Sequence, residues 1–195
     1  MRTNLKTSNI ATGIAFLIGL LMITSAPTFG QRASTETIDA TAWGTSTQMG
    51  RNVGVKIIIY EFSSPEDRDI LVEAFKQGQN DGLVNALTKM TSVGRIQIPG
   101  TLGFDLSFIR EIITPTGRTI RFVTNRKIAF GEAYWSTRSK EFNLTAGEIN
   151  LNDQGKSKSD GVLYPAAQLT INKDGELEFN LNQNPWRLGN IIEWK

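Results

Sequence analysis

From residue 34 onward, apolar and polar positions recur at two spacings that are segregated along the chain. Ser34 to Trp43 alternates. Thr35, Thr37, Asp39 and Thr41 take one side and Glu36, Ile38, Ala40 and Ala42 the other, which predicts a half-buried strand. After a polar stretch at 44–52, Val53 to Phe62 is a second strand-like run, stopped by Ser63-Ser64-Pro65. Ser64 suits an N-cap, because its hydroxyl can accept a bond from an orphan amide of a first turn. Pro65 fits the first helical position, where no donor is needed, and Asp67 is favourable to the helix dipole. Ile70, Leu71, Ala74 and Phe75 then predict an apolar stripe laid on the strand just left. Gly78 is placed to close this helix. Leu83, Ala86, Leu87 and Met90 predict a second short one from about Asp81.

Beyond the helical pair the period is almost wholly two. Val93 to Ile98 is a short strand ended by Pro99-Gly100, and Leu102, Phe104, Leu106 and Phe108 alternate with Gly103, Asp105 and Ser107. Strands are predicted again at Ile112-Ile113, Arg118–Thr124, Ile128–Trp135, Glu148–Asn152, Ala167–Ile171, Glu176–Leu181 and Trp186–Trp194. The turn signals between them include Asp153-Gln-Gly155 and Asn172-Lys-Asp-Gly175. Thr114-Pro-Thr-Gly117 reads as a type I turn with a glycine bulge, which sets Thr114 opposite Arg118 and Glu111 opposite Arg121. Helices and strands that are segregated rather than alternating imply an α+β fold. The expectation is a mainly antiparallel β-sheet, as a sandwich or partly open barrel. One helical pair lies near the N-terminus of the mature domain, which spans residues 31–195.

Residues 1–30 lie outside that domain. Arg2 and Lys6 precede an apolar run from Ile10 to Ile23, and small residues follow up to Gly30, as in a secretory signal peptide. The run is shorter than the ~20 residues needed to span a bilayer, so stable membrane insertion is not expected. The mature chain is expected to begin near Gln31, or after Ala33, in a periplasm or outside the cell. The whole chain has 21 Lys plus Arg against 19 Asp plus Glu. The leader carries the excess, and the mature chain is formally neutral. No argument for a nucleic acid partner survives that correction.

There is no cysteine and no histidine. This excludes disulfides, Ser-His-Asp triads, Cys-His dyads and imidazole metal sites, and no cofactor or metal is expected. Gly155-Lys-Ser157 lacks the first glycine and the strand-to-helix context of a phosphate-binding loop. Asn172 to Gly175 lacks the ligands of a calcium loop. Asn143-Leu-Thr145 matches a glycosylation acceptor, and neither Gly-x-Ser-x-Gly nor Ser-x-x-Lys occurs. Carboxylate chemistry remains, with Asp105, Glu111 and Glu132 in or beside the central strands; two carboxyls about 5 to 10 Å apart could hydrolyse a glycosidic bond. Trp43, Trp135, Trp186 and Trp194 are either closures of a β core or stacking platforms for a flat ligand. Arg126 belongs to a basic group with Arg118, Arg121 and Lys127 that could meet an anion.

Several stretches are similar to a family of exported bacterial proteins with no established function. They are Tyr60-Glu-Phe-Ser-Ser-Pro-Glu-Asp-Arg68, the helical region to Met90, Val93-Gly-Arg-Ile96, Leu102-Gly-Phe-Asp-Leu106, Arg121-Phe-Val-Thr-Asn-Arg126 with Ile128 to Glu132, and Glu148-Ile-Asn-Leu151. The likeness covers most of residues 53–195. It departs at Gly155-Lys-Ser-Lys158, where the family has a more glycine-rich turn. The resemblance implies export and a common fold and transfers no catalytic residue. The functional expectation is a non-enzymatic binding module for a small apolar ligand held within the sheet, or for a cell-envelope partner, with Trp135 and Arg126 as ligand-binding candidates. The alternative is a carboxylate-dependent hydrolase acting on envelope or extracellular polysaccharide, with Asp105 and Glu132 as the catalytic candidates.

Overall fold

The computed structural model describes residues 35–46, 49–128, 141–171, 173 and 177–194, which form ten strands and one long helix. Strands β1 (Glu36–Trp43), β2 (Asn52–Ile59), β3 (Gly94–Gln97) and β4 (Phe104–Leu106) make one antiparallel meander. Strands β5 (Phe108–Thr114), β6 (Gly117–Thr124), β7 (Leu144–Asn152) and β8 (Asp160–Ile171) make a second. β9 (Leu177–Leu181) pairs with the far half of β8. β10 (Trp186–Trp194) lies between β1 and β8 and joins the two meanders.

The sheet curls into a nearly closed barrel. Ile38, Ile57 and Ile96, toward one end of the strand order, share a single buried cluster with Ile109, Ile120, Phe122 and Ile149, toward the other. Ser63 closes the gap that remains. Its amide donates to the Ile109 carbonyl (2.8 Å), and its hydroxyl accepts from the Ile109 amide (3.0 Å). The expected choice between sandwich and barrel thus resolves toward the barrel.

The helix, α1 (Pro65–Lys89), begins as its sequence dictates. The Ser64 hydroxyl accepts from the Asp67 amide, the Asp67 carboxylate accepts from the Ser64 amide, and Pro65 stands in the first turn. Two features differ from expectation. There is one helix rather than a pair, and it lies behind β1 and β2 rather than near the N-terminus of the mature domain. The break signalled by Gly78 is a kink at Gln79 (φ 51°, ψ −144°). The halves meet so closely that a Cβ on Gly82 would lie 2.2 Å from the Ala74 carbonyl oxygen.

The helix also does not rest on β2. Leu71, Phe75, Leu83 and Leu87 pack with Phe108, Val123, Leu144 and Leu169, on the outer face of β5 to β8. The reason is parity: β2 turns Val55, Ile57 and Ile59 into the barrel, whereas the second meander carries apolar side chains on its outside as well. Ile70, expected on the buried stripe, is 55% exposed.

A buried asparagine fixes the second half of the helix. Asn80 Nδ2 donates to Asn143 Oδ1 (2.8 Å), and Asn80 Oδ1 accepts from the Leu169 amide (2.9 Å). Asn80→Ala is expected to cost about 1–3 kcal/mol in urea unfolding, because the Leu169 amide loses its acceptor inside the protein. An unchanged midpoint would count against that role.

The β5–β6 hairpin corrects the predicted register. Thr114 pairs with Gly117, Glu111 lies opposite Ile120, and Arg110 lies opposite Arg121. Only Pro115 and Thr116 form the loop, and Thr116 does not take a positive φ. Gly117 instead carries the unusual backbone at φ 148°, where a Cβ would meet the Leu151 carbonyl oxygen at 2.1 Å. The opposed arginines are tolerated because Arg121 pairs with Glu148 of β7 at 2.6 Å. Residues 129–135 of the predicted strand at Ile128–Trp135 lie outside the described residues.

Candidate functional site

The kinked helix leaves a groove of about 380 Å³ against the outer sheet face. Leu71, Val72, Phe75, Leu83 and Leu87 line it from α1, and Phe108, Val123, Leu169 and Ile171 line it from the strands. Every lining residue is apolar except Arg68 and Lys76. Val72 and Ile171 remain 39% and 48% exposed, so the lips of the groove are apolar as well.

The barrel interior holds a cluster of large buried side chains. Phe122 is fully buried, and its ring lies so close over Gly147 that a Cβ there would be 2.2 Å from Cζ. The apolar space described above lies outside the sheet, between α1 and its outer face. A more polar hollow of about 460 Å³ lies beside Asp39, Lys56 and residues 97–101. Its carboxylate is already engaged, Asp39 taking Lys56 Nζ at 3.0 Å and Trp194 Nε1 at 2.9 Å.

One end of the barrel is closed by charge. Arg118 shares the inward face of β6 with Ile120 and Phe122, and Glu36 shares that of β1 with Ile38 and Ala40. Glu193 reaches the same place through a β-bulge. Asn190, at φ 48°, and Ile191 stand opposite Ala40, and the extra residue turns Ile191 and Glu193 inward. Arg118 donates from Nη2 to Glu36 and Glu193, and from Nη1 to Glu111 Oε1 at 2.6 Å. Burial opposes the charged guanidinium. The hydrogen bonds that it donates to Glu111 and Glu36, and the charges of Glu36 and Glu193, outweigh it, holding the pKa above the ordinary arginine value. The guanidinium sits between these carboxylates and engages all three.

The sequence candidates are scattered. Asp105 lies exposed on β4 opposite Arg95, on the outer face, whereas Glu111 points inward to Arg118. Glu132 and Trp135 lie outside the described residues. Arg126 is exposed just past the end of β6 and does not line the groove. Trp186 is buried in the barrel core, and Trp43 lies over Gly189. Trp194 is exposed and bonded to Asp39. Asn143 and Thr145, of the apparent glycosylation acceptor, serve structure: Asn143 bonds Asn80, and the buried Thr145 hydroxyl bridges the Ile128 amide and the Pro165 carbonyl.

No protein-family model, no curated protein and no solved structure matches this chain.

Among the described residues no group of three or more acidic, histidine or cysteine side chains is placed to hold a metal ion. No helix among them is long and apolar enough to cross a membrane. Sequence reasoning missed the groove because its two walls, α1 and the outer face of β5 to β8, come from separate stretches. The charged mouth had left a trace: Glu36 falls on the apolar side of its strand, and Arg118 has the parity of Ile120 and Phe122.

Proposed function

We propose that this chain is an exported, non-enzymatic binding module whose small apolar ligand occupies the groove between α1 and the outer face of β5 to β8. The observation that carries the reading is the lining: nine apolar side chains surround an open space on a protein whose barrel core is already filled. Small-molecule sites are commonly concave, apolar and about 300–1,000 Å³ in volume. Export to a periplasm or the cell exterior rests on the leader pattern of residues 1–30. A cell-envelope partner offering an apolar group to the same groove is the variant of this reading in which the ligand is attached to something larger. A polysaccharide hydrolase draws no support from Asp105 and Glu111, which sit on opposite faces of the sheet.

Native mass spectrometry of the protein purified from its own host tests the proposal. The expected result is a retained apolar compound that is lost on denaturation. Leu169→Trp, which fills the groove from the β8 side, is expected to carry none of it while remaining folded. Wild-type protein that retains nothing and takes up no apolar compound afterwards would overturn the proposal.

A further inference from the structure

Building on that binding reading, we infer that the ligand is a single-chain anionic amphiphile, a free fatty carboxylate, with its chain in the groove and its head between Arg68 and Lys76. On the first half of α1, Arg68, Val72 and Lys76 recur four residues apart, so one row of the helix reads cation, apolar, cation along the groove. Leu71 and Phe75 form the adjacent row turned toward the sheet. Two helical turns separate the cations, about 12 Å along the axis, which brackets a head group at the lip without blocking the cleft. Both charged residues that line the groove are basic.

Their acidic neighbours do not line it. Asp69 is paired with Arg68 at 3.2 Å and Glu73 with Lys76 at 3.9 Å, in contacts where all four side chains are at least half exposed. Exposed pairs of this kind hold weakly and exchange readily, so either cation can turn to an incoming anion. The arginine and lysine stems can lie along the apolar lip while their heads stay in water, which suits an amphiphile entering head outward. As the mature chain is formally neutral, selection of an anion has to come from local placement rather than from a general field. The volume of about 380 Å³ is at the small end for ligand sites and suits one chain rather than a two-chain lipid.

The test compares three compounds with a twelve-carbon chain, laurate, dodecanol and dodecyltrimethylammonium, the two ionic ones below their micelle concentrations and dodecanol below its solubility limit. They are titrated calorimetrically into lipid-stripped protein. Laurate is expected to bind at one equivalent about tenfold more tightly than dodecanol, with the cationic compound weakest. Arg68→Gln with Lys76→Gln should remove the advantage of laurate over dodecanol. Equal affinity for laurate and dodecanol overturns the anionic assignment but leaves the apolar groove standing. Failure of all three compounds overturns the groove reading itself. Two further outcomes overturn the fatty-carboxylate assignment. One is recruitment to anionic phospholipid vesicles that depends on Arg68 and Lys76, without uptake of monomeric laurate. The other is self-association through the groove that laurate cannot displace.

Discussion

Arg118→Met is expected to destabilise the fold by about 3–5 kcal/mol at neutral pH, measured as a fall in the urea midpoint, because it strands the partners of a poorly hydrated ion cluster. Arg118 and Glu36 are only 13% and 12% exposed, and Glu111 and Glu193 somewhat more. With the guanidinium gone, the carboxylates from β1, β5 and β10 lose the cation they share. A loss of less than about 1 kcal/mol, the worth of an ordinary exposed ion pair, would contradict this account. Arg118→Lys should recover only part of the loss, since a single ammonium cannot present the two separate nitrogens that now serve three acceptors.

Gly147→Ala is expected to cost about 1–3 kcal/mol by overpacking. The added methyl would lie 2.2 Å from Phe122 Cζ and 2.6 and 2.8 Å from the two Cε atoms. Phe122 is fully buried at the middle of the barrel and has no solvent side toward which to yield. Shortening the ring should relieve the clash, so Phe122→Leu is expected to be less harmful in the Gly147→Ala background than in the wild type. A double-mutant cycle by urea unfolding checks this; strictly additive losses would mean that the backbone moves aside instead.

The parts of this architecture that were legible in the sequence are those determined within a few residues. Ser64, Pro65 and Asp67 announced the start of the helix, and the two-residue period announced most of the strands. The inward glutamate of β1 was visible as a charge on the apolar side of an alternating run. What was not legible depends on partners distant in sequence. The hairpin register was argued from Glu111 facing Arg121. In the fold, Glu111 bonds Arg118 diagonally on its own face, and Arg121 finds Glu148 on the next strand over. Counting from the turn could see neither Glu36 nor Glu193, which sit on Arg118 from across the barrel. The inward turn of Glu193 needs the bulge at Asn190, which reverses the parity of the last four residues of β10. The groove needs the helix to settle on β5 to β8, a destination set by which strands carry a second apolar face.

The position of β10 has a consequence for how the molecule assembles. The two meanders are made of neighbours in the chain, and each hairpin can zip as soon as its own strands exist. β10 is different, because the last strand in the sequence is an inner strand of the sheet, with β1 on one flank and β8 on the other. A chain made from its N-terminus forward therefore holds β1 with one edge unsatisfied until nearly all of the domain has followed it. Pairing Thr37 with Trp194 also closes the longest loop in the fold. Contacts of such high sequence separation are slow to form and leave unpaired edges open to other chains in the meantime. The completion of the barrel, and with it the meeting of Glu193 and Glu36 at Arg118, is thus a late event in assembly.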